Sequence, residues 1–369
     1  MEKKNKALLE AFCGVLLCAC AEAAPLADSD TLHTDGPALR NARNERIVLS
    51  GVNIASLEWT PKGERIRESF AAAIEDWGAK LIRLPVRSGF WFGRDSKQPL
   101  PDDFSEKSPL PEKEAVRAEA YRTLVDSLLE YANARGCYVI LDLHEFKAPT
   151  AAHLAFWRDA ATRYANRPGV LFGLLNEPHS ISWEEWRNGG SLSGKPRRDA
   201  IDENWEQIDL KSSVGMQAVL DAIRATGARN IAVVGGLDWA YDLSGIENGF
   251  ALSDPTGNGI LYDTHIYPWK NNWAEKVLCI AEKYPILVGE IGCMTKPMPF
   301  ETEAKDPYAW APDALAFIQK HRFSYTAWCF HPAASPCIIS DWNFTPTPYW
   351  GAFVRAALRG ARFVSDHLH

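Results

Sequence analysis

From residue 47 onward the chain alternates short, nearly unbroken apolar runs with longer stretches whose apolar residues recur at helical spacing. A parallel strand covered by helices on both faces reads as a continuous apolar run rather than an alternating one. Eight such runs stand out, at 47–55, 80–86, 137–144, 170–178, 230–236, 259–267, 285–292 and 323–330. Between them a 3.6-residue period predicts helices over 65–79, 115–136, 151–166, 213–227, 274–284 and 312–321, with Gly78 and Gly136 as stop signals. Eight strands alternating with helices predict an α/β fold, a (β/α)₈ TIM barrel forming a single domain over 46–369. The 369 residues suit such a barrel with loop insertions. Residues 25–45 are polar and read as an irregular lead-in. Three long connections, 92–114, 181–212 and 332–349, all leave from strand carboxyl ends, where they would wall a cleft.

The apolar runs are interrupted near their ends by polar residues, which are costly to bury unless paired or functional. The second run carries Arg83, the third Asp142 and His144, the fourth Asn176 and Glu177, the sixth Asp263, His265 and Tyr267, the seventh Glu290, and the eighth Trp328. A strand period of two sets Asp142 with His144, and Asp263 with His265 and Tyr267, on common faces. Taken singly, Arg83 with Asp142 reads as a structural ion pair and a lone barrel histidine as a hydrogen-bonded core residue. Glu177 and Glu290 at the ends of the fourth and seventh strands are harder to explain as scaffold. Two carboxyls facing each other across a barrel mouth are what glycoside hydrolysis needs, provided one is protonated and the other charged. Partial burial and repulsion from the second carboxylate would favour the neutral form of Glu177, whereas Arg83 and the Tyr267 hydroxyl would keep Glu290 ionised.

Charge and composition narrow the partners. With 40 basic against 47 acidic residues and no basic block, nucleic acid and anionic membrane surfaces are excluded as partners. The 14 Trp cluster in predicted loops, which suits aromatic faces meeting a ligand. Lys3, Lys4 and Lys6, the apolar run 11–21 and small residues to Ala24 have the layout of a secretory signal over 1–24. The run is too short to span a membrane, so no transmembrane segment is expected. Cleavage near Ala23 or Ala24 stands beside a second reading, a lipoprotein signal with Cys20 lipidated. The expected location is therefore secreted or periplasmic, either free or tethered through Cys20. Outside the leader five cysteines remain, Cys137, Cys279, Cys293, Cys329 and Cys337; Cys329 could pair with Cys337 or Cys293, or all could be free. No CxxC or CxxH spacing marks a zinc site.

The ordered motifs LFGLLNEP with Glu177, ILVGEIG with Glu290, RLP at Arg83, DLH at His144, THIY at His265 and Tyr267, and AW at Trp328 resemble glycoside hydrolase family 5, the cellulase family. The matches fall one per expected strand from about Ile47 onward. The resemblance implies a retaining mechanism with Glu177 as acid/base and Glu290 as nucleophile. It implies that Asn176 holds the sugar 2-hydroxyl, that Arg83 and Tyr267 orient and tune Glu290, that His144 and His265 line the subsite of the scissile sugar, and that Trp328 stacks on that sugar. Retention would set the carboxyls roughly 5 to 5.5 Å apart. It further implies a β-linked polysaccharide or oligosaccharide substrate, no cofactor, and a monomer. DLH departs from the many relatives that carry Trp before the His. Trp269, Trp273, Trp342 and Trp350 lie near the expected cleft and either shape specificity or pack loops.

Hydrolysis of internal β-1,4 bonds in a glucan leads; mannan, β-1,3-glucan and glycolipid substrates would use the same residues. Outside that chemistry stand a metal-dependent barrel hydrolase using His144, His265, Asp142 and Asp263 as ligands, disfavoured because no HxH pair marks the first strand and no HExxH lies on a helix, and a non-catalytic carbohydrate binder.

Overall fold

The apolar runs become strands because burial on both faces leaves nothing for a polar side chain to meet. All six residues of Leu81–Val86, of Tyr138–Leu143 and of Ile286–Ile291, and all seven of Ile260–Ile266, are buried. With Ser50–Asn53, Val170–Gly173, Ala232–Gly235 and Ser324–Ala327 they make eight parallel strands that close in sequence order, the eighth pairing back onto the first. The computed structural model describes residues 24–94, 100, 104–192, 212–303 and 305–364. The leader with Cys20 lies outside the described residues.

Alternation within each strand sorts side chains into two cores. Ile82, Leu84, Val139, Leu141, Val234 and Val288 point outward against the helices. Leu81, Ile140, Leu171, Val233, Leu261 and Leu287 point inward and fill the lower half of the barrel. Above that apolar floor the inward positions turn polar: Asn53, Arg83, Asp142, Asp263 and His265 are all buried. The barrel is thus oily below and charged above, with the charge at the carboxyl ends of the strands.

The seventh strand departs from strict alternation in a way that matters. Leu287 faces inward and Val288 outward, so a regular strand would aim Glu290 outward at the helices. Pairing registers shift between Thr264 and His265 and again between Val288 and Ile291, which sets His265 opposite Glu290 and sends Ile291 into the outer core instead. A bulge re-aims a side chain in this manner. Gly289 is part of it: its N–H donates to Asp263 Oδ1 at 2.7 Å, and a Cβ there would lie 2.3 Å from the same oxygen.

Four expectations change. Residues 25–45 are not irregular: Leu32–Asp35, Ala38–Asn41 and Arg46–Ile47 form a three-stranded antiparallel sheet that turns at Gly36, φ 52°. Its Leu32 and Leu39 cap the apolar floor, so the hairpin buries one face despite a polar sequence. The first barrel strand is accordingly shorter than 47–55, because Ile47 belongs to the hairpin. The helix expected over 274–284 breaks into the turns Trp273–Lys276 and Leu278–Ile280. The Lys276 carbonyl accepts from Leu243 N–H at 2.8 Å rather than continuing the helix, and Val277 sits at φ −118°. Helix 312–321 starts earlier, at Pro307, capped by the Asp306 side chain. All five described cysteines are free thiols.

Candidate active site

Arg83 organises the polar end of the barrel. It is 1% exposed, and it reaches Glu290 Oε1 at 2.8 Å and Asn53 Oδ1 at 3.0 Å through Nη1, and Asp142 Oδ1 at 3.0 Å and Asn176 Oδ1 at 2.5 Å through Nη2. Four partners from four strand ends hold a planar fork that lysine could not imitate. Burial opposes its charge, yet Asp142, Glu290, Asp263 and Glu177 together raise its pKa. Asn53, which sequence reasoning missed, also donates to the Gly289 and Thr326 carbonyls at 2.9 and 3.1 Å. Its signal was an amide inside an apolar strand.

The two glutamates meet over this base. Glu177, just past the fourth strand, hydrogen-bonds His265 Nδ1 at 2.8 Å, and the same nitrogen is 3.6 Å from Glu290 Oε2. Oxygens of both carboxyls and the His265 nitrogen lie within 4.8 Å of one another. The Tyr267 hydroxyl donates to Glu290 Oε2 at 2.6 Å. Burial, joined by repulsion from Glu290, raises the Glu177 pKa against the pull of His265. For Glu290 burial opposes ionisation, but the His265, Arg83 and His144 charges and the Tyr267 hydroxyl outweigh it and lower the pKa. Neighbouring carboxyls in one pocket are therefore pushed in opposite directions, Glu177 toward its neutral form and Glu290 toward its charged form.

His265 is not where the sequence suggested. It is fully buried and does not line the cavity; it lies behind both carboxyls, its Nε2 3.4 Å from Asp263 Oδ2. Burial disfavours its charge, but Glu290, Asp263 and Glu177 raise its pKa to about 10, so it is an imidazolium wedged among carboxylates. His144 does face the cavity, its Nδ1 on Asp142 Oδ2 at 2.8 Å, and its ring lies parallel to Trp328 with centroids 5.6 Å apart.

A cavity of about 410 Å³ opens above the pair, bounded by His144, Asn176, Glu177, Tyr267, Glu290 and Trp328. Phe146, Trp239, Lys270, Met294, Met298 and Phe300 extend its wall; no sequence signal separated these from ordinary loop residues. Of the four loop tryptophans, Trp269 lines the cavity, Trp273 and Trp350 are core, and Trp342 packs edge-to-face on His331 at 4.7 Å. Among the described residues, the one group close enough to hold a metal ion is Glu177, His265 and Glu290, not the set of His144, His265, Asp142 and Asp263. Its members are already engaged with one another and with Arg83.

The chain is 23% identical over 359 residues to endoglucanase MaCel5A of Microbulbifer sp. (strain ALW1), covering 91% of this chain and 59% of that protein. It is 21% identical to endoglucanase E-5 of Thermobifida fusca, covering 79% of this chain and 54% of the relative, so it spans little more than half the length of either. Its fold superposes on the β-glucanase SdGluc5_26A of Saccharophagus degradans, solved with cellotetraose, with a TM-score of 0.65, 24% identity and coverage of 91% and 96%. The catalytic domain of Thermobifida fusca endoglucanase Cel5A follows at a TM-score of 0.62, 17% identity and coverage of 90% and 98%. The family model for cellulase (glycosyl hydrolase family 5) matches residues 41–334. Eight barrel strands carrying two unlike carboxyls at the fourth and seventh, together with that match, establish that the chain belongs to the cellulase family, glycosyl hydrolase family 5.

Proposed function

We propose that the chain hydrolyses internal β-1,4 bonds of a glucan by double displacement, with Glu177 as acid/base and Glu290 as nucleophile. The observation that carries this reading is a pair of carboxyl oxygens within 4.8 Å whose pKa values move in opposite directions. That spacing suits retention, since inversion needs roughly 6.5 to 9.5 Å to admit a water.

In the first step Glu290, held by Arg83 and Tyr267, attacks C1 while Glu177 gives its proton to the departing oxygen. Glycosylation removes the charge of Glu290, and with it the repulsion that helped keep Glu177 protonated. Glu177, which has already given up its proton and still lies beside the His265 imidazolium, stays ionised and becomes the base for the second step. The Asn176 amide oxygen is occupied by Arg83, which turns its NH₂ toward the cavity as a donor for the sugar 2-hydroxyl. Trp328, next to His144, offers a face for the same sugar.

Trapping with a 2-fluoro glycosyl donor followed by peptide mapping tests the assignment. Label on the peptide holding Glu290 is expected; label elsewhere, or none, refutes it. Reducing-sugar release from carboxymethyl cellulose tests the substrate, and cleavage of mannan alone would overturn the choice. Among the described residues no helix is long and apolar enough to cross a membrane. The layout of 1–24 supports an exported chain, the leader removed or its Cys20 lipidated; the chain is proposed to act on β-linked saccharides as a monomer, and gel filtration with mass analysis of the mature protein would check each point.

A further inference from the structure

Asp263, on the sixth barrel strand, is 3% exposed and lies behind the cavity wall rather than in it. A buried carboxylate is costly unless both of its oxygens are engaged. Oδ1 accepts the Gly289 N–H at 2.7 Å. Gly289 is the residue that strand pairing skips, since Thr264 stands opposite Val288 and His265 opposite Glu290. A bulged residue leaves the ladder, so its N–H and carbonyl need partners from side chains. Asp263 takes the N–H, while Asn53, at 2.9 Å, and the Thr326 hydroxyl donate to the carbonyl. The carboxylate fills the place of a side chain at 289: a Cβ there would fall 2.3 and 2.4 Å from its two oxygens. Glycine and aspartate thus hold the bulge together, and the direction of Glu290 depends on both.

The second oxygen faces His265. Nε2 of that ring is buried without an aligned acceptor and lies 3.4 Å from Asp263 Oδ2. Nδ1 lies 2.8 Å from Glu177 and 3.6 Å from Glu290. A lone pair on either nitrogen would face carboxyl oxygens, so both nitrogens carry protons and the ring is a cation. The other charged or ionisable groups facing Glu290 are Arg83, itself paired with Asp142, and His144 and Tyr267. The adjoining fifth strand, Ala232–Gly235, carries none.

We infer that Asp263 is a positioning residue for the reaction: Oδ1 fixes the bulge that aims Glu290, and Oδ2 anchors the imidazole that stands behind both catalytic carboxyls. The inference rests on the double-displacement reading and goes beyond it. Asp263 acts through Gly289 and His265, not on the sugar. Asparagine at this position separates the two roles. Its amide oxygen still accepts the Gly289 N–H, which turns its NH₂ to His265 Nε2; that nitrogen then accepts, and the ring is neutral with Nδ1–H kept on Glu177. The positive charge lost is nearer to Glu290 than the negative one, because Asp263 sits on the far nitrogen. Glu290 therefore ionises at higher pH although its direction is unchanged. Alanine removes both roles.

The test follows inactivation by 2,4-dinitrophenyl 2-deoxy-2-fluoro-β-cellobioside as a function of pH. Dinitrophenolate leaves without a proton, so the rate constant reports bond formation at Glu290 alone. Being first-order, it does not depend on how much of a variant folds. In Asp263→Asn the acidic limb should move up by about one pH unit, with a plateau within about threefold of the wild type. In Asp263→Ala the plateau should fall by about 10²-fold, as for a reacting group displaced by about 1 Å. An acidic limb that stays or moves down in Asp263→Asn, or a wild-type plateau in Asp263→Ala, would overturn the proposal. The asparagine result decides alone if the alanine variant does not fold. A wild type that is not inactivated at all would instead remove the double-displacement reading, and this inference with it.

Discussion

Glu58, in the loop after the first barrel strand, gives the sharpest test of the electrostatics. It is 5% exposed; Oε2 accepts the Ser56 N–H at 2.7 Å, while Oε1 is buried without a hydrogen-bond partner. Burial pushes its carboxyl up to about 7 from an ordinary 4.5, against the pull of His144 and of the Glu58 and Ser56 backbone N–H groups and with a small push from Asp142. A folded pKa above the unfolded one means the native state binds more protons between the two values, so stability must fall as pH rises through that window and level off above it. At about 1.36 kcal/mol per pH unit, the ionised Glu58 costs about 3 kcal/mol at pH 8. Glu58→Gln keeps an acceptor for Ser56 N–H and cannot ionise. Urea unfolding followed by tryptophan fluorescence should show the variant gaining about 2 to 3 kcal/mol on the wild type between pH 5 and pH 8. A difference that does not vary with pH, or one that grows against the variant as pH rises, would refute the reasoning.

Replacing the two glutamates should separate their roles: Glu290→Gln should abolish turnover of every glycoside, whereas Glu177→Gln should lose about 10²- to 10⁴-fold on substrates needing a protonated leaving group and far less on dinitrophenyl glycosides. Steady-state kinetics on both substrate types decides this, and equal losses would contradict it. Tyr267→Phe removes a hydrogen bond that lowers the Glu290 pKa, so the acidic limb of kcat/KM should move to higher pH and activity fall by about tenfold; an unmoved limb would count against Tyr267. Gly289→Ala brings a methyl into Asp263 and should destabilise by about 2 to 4 kcal/mol, read as a lower urea midpoint.

The barrel was legible because eight doubly buried strands write themselves as apolar runs, and the polar residues ending those runs gave away Arg83, Asp142, Asn176, Glu177 and Glu290. What stayed hidden depended on geometry rather than residue type. His265 shares a strand face with Asp263, but only the register with the seventh strand sets it behind the carboxyls instead of under the sugar. The N-terminal hairpin looked irregular because just two leucines, Leu32 and Leu39, anchor it. Met294, Met298 and Phe300 come from a loop with no periodicity, so nothing local marks them as cavity wall.

The kinked path of the seventh strand bears on how such an enzyme can be redesigned. Because Glu290 owes its direction to the shifts around Gly289, a computationally idealised barrel that smooths this segment would keep every residue of the acid pair. It would also turn the Glu290 carboxyl toward the solvent-side helices. Transplanting the chemistry onto another scaffold therefore requires copying a backbone irregularity along with the amino acids, and a scaffold lacking it should prove inert however faithful its side chains.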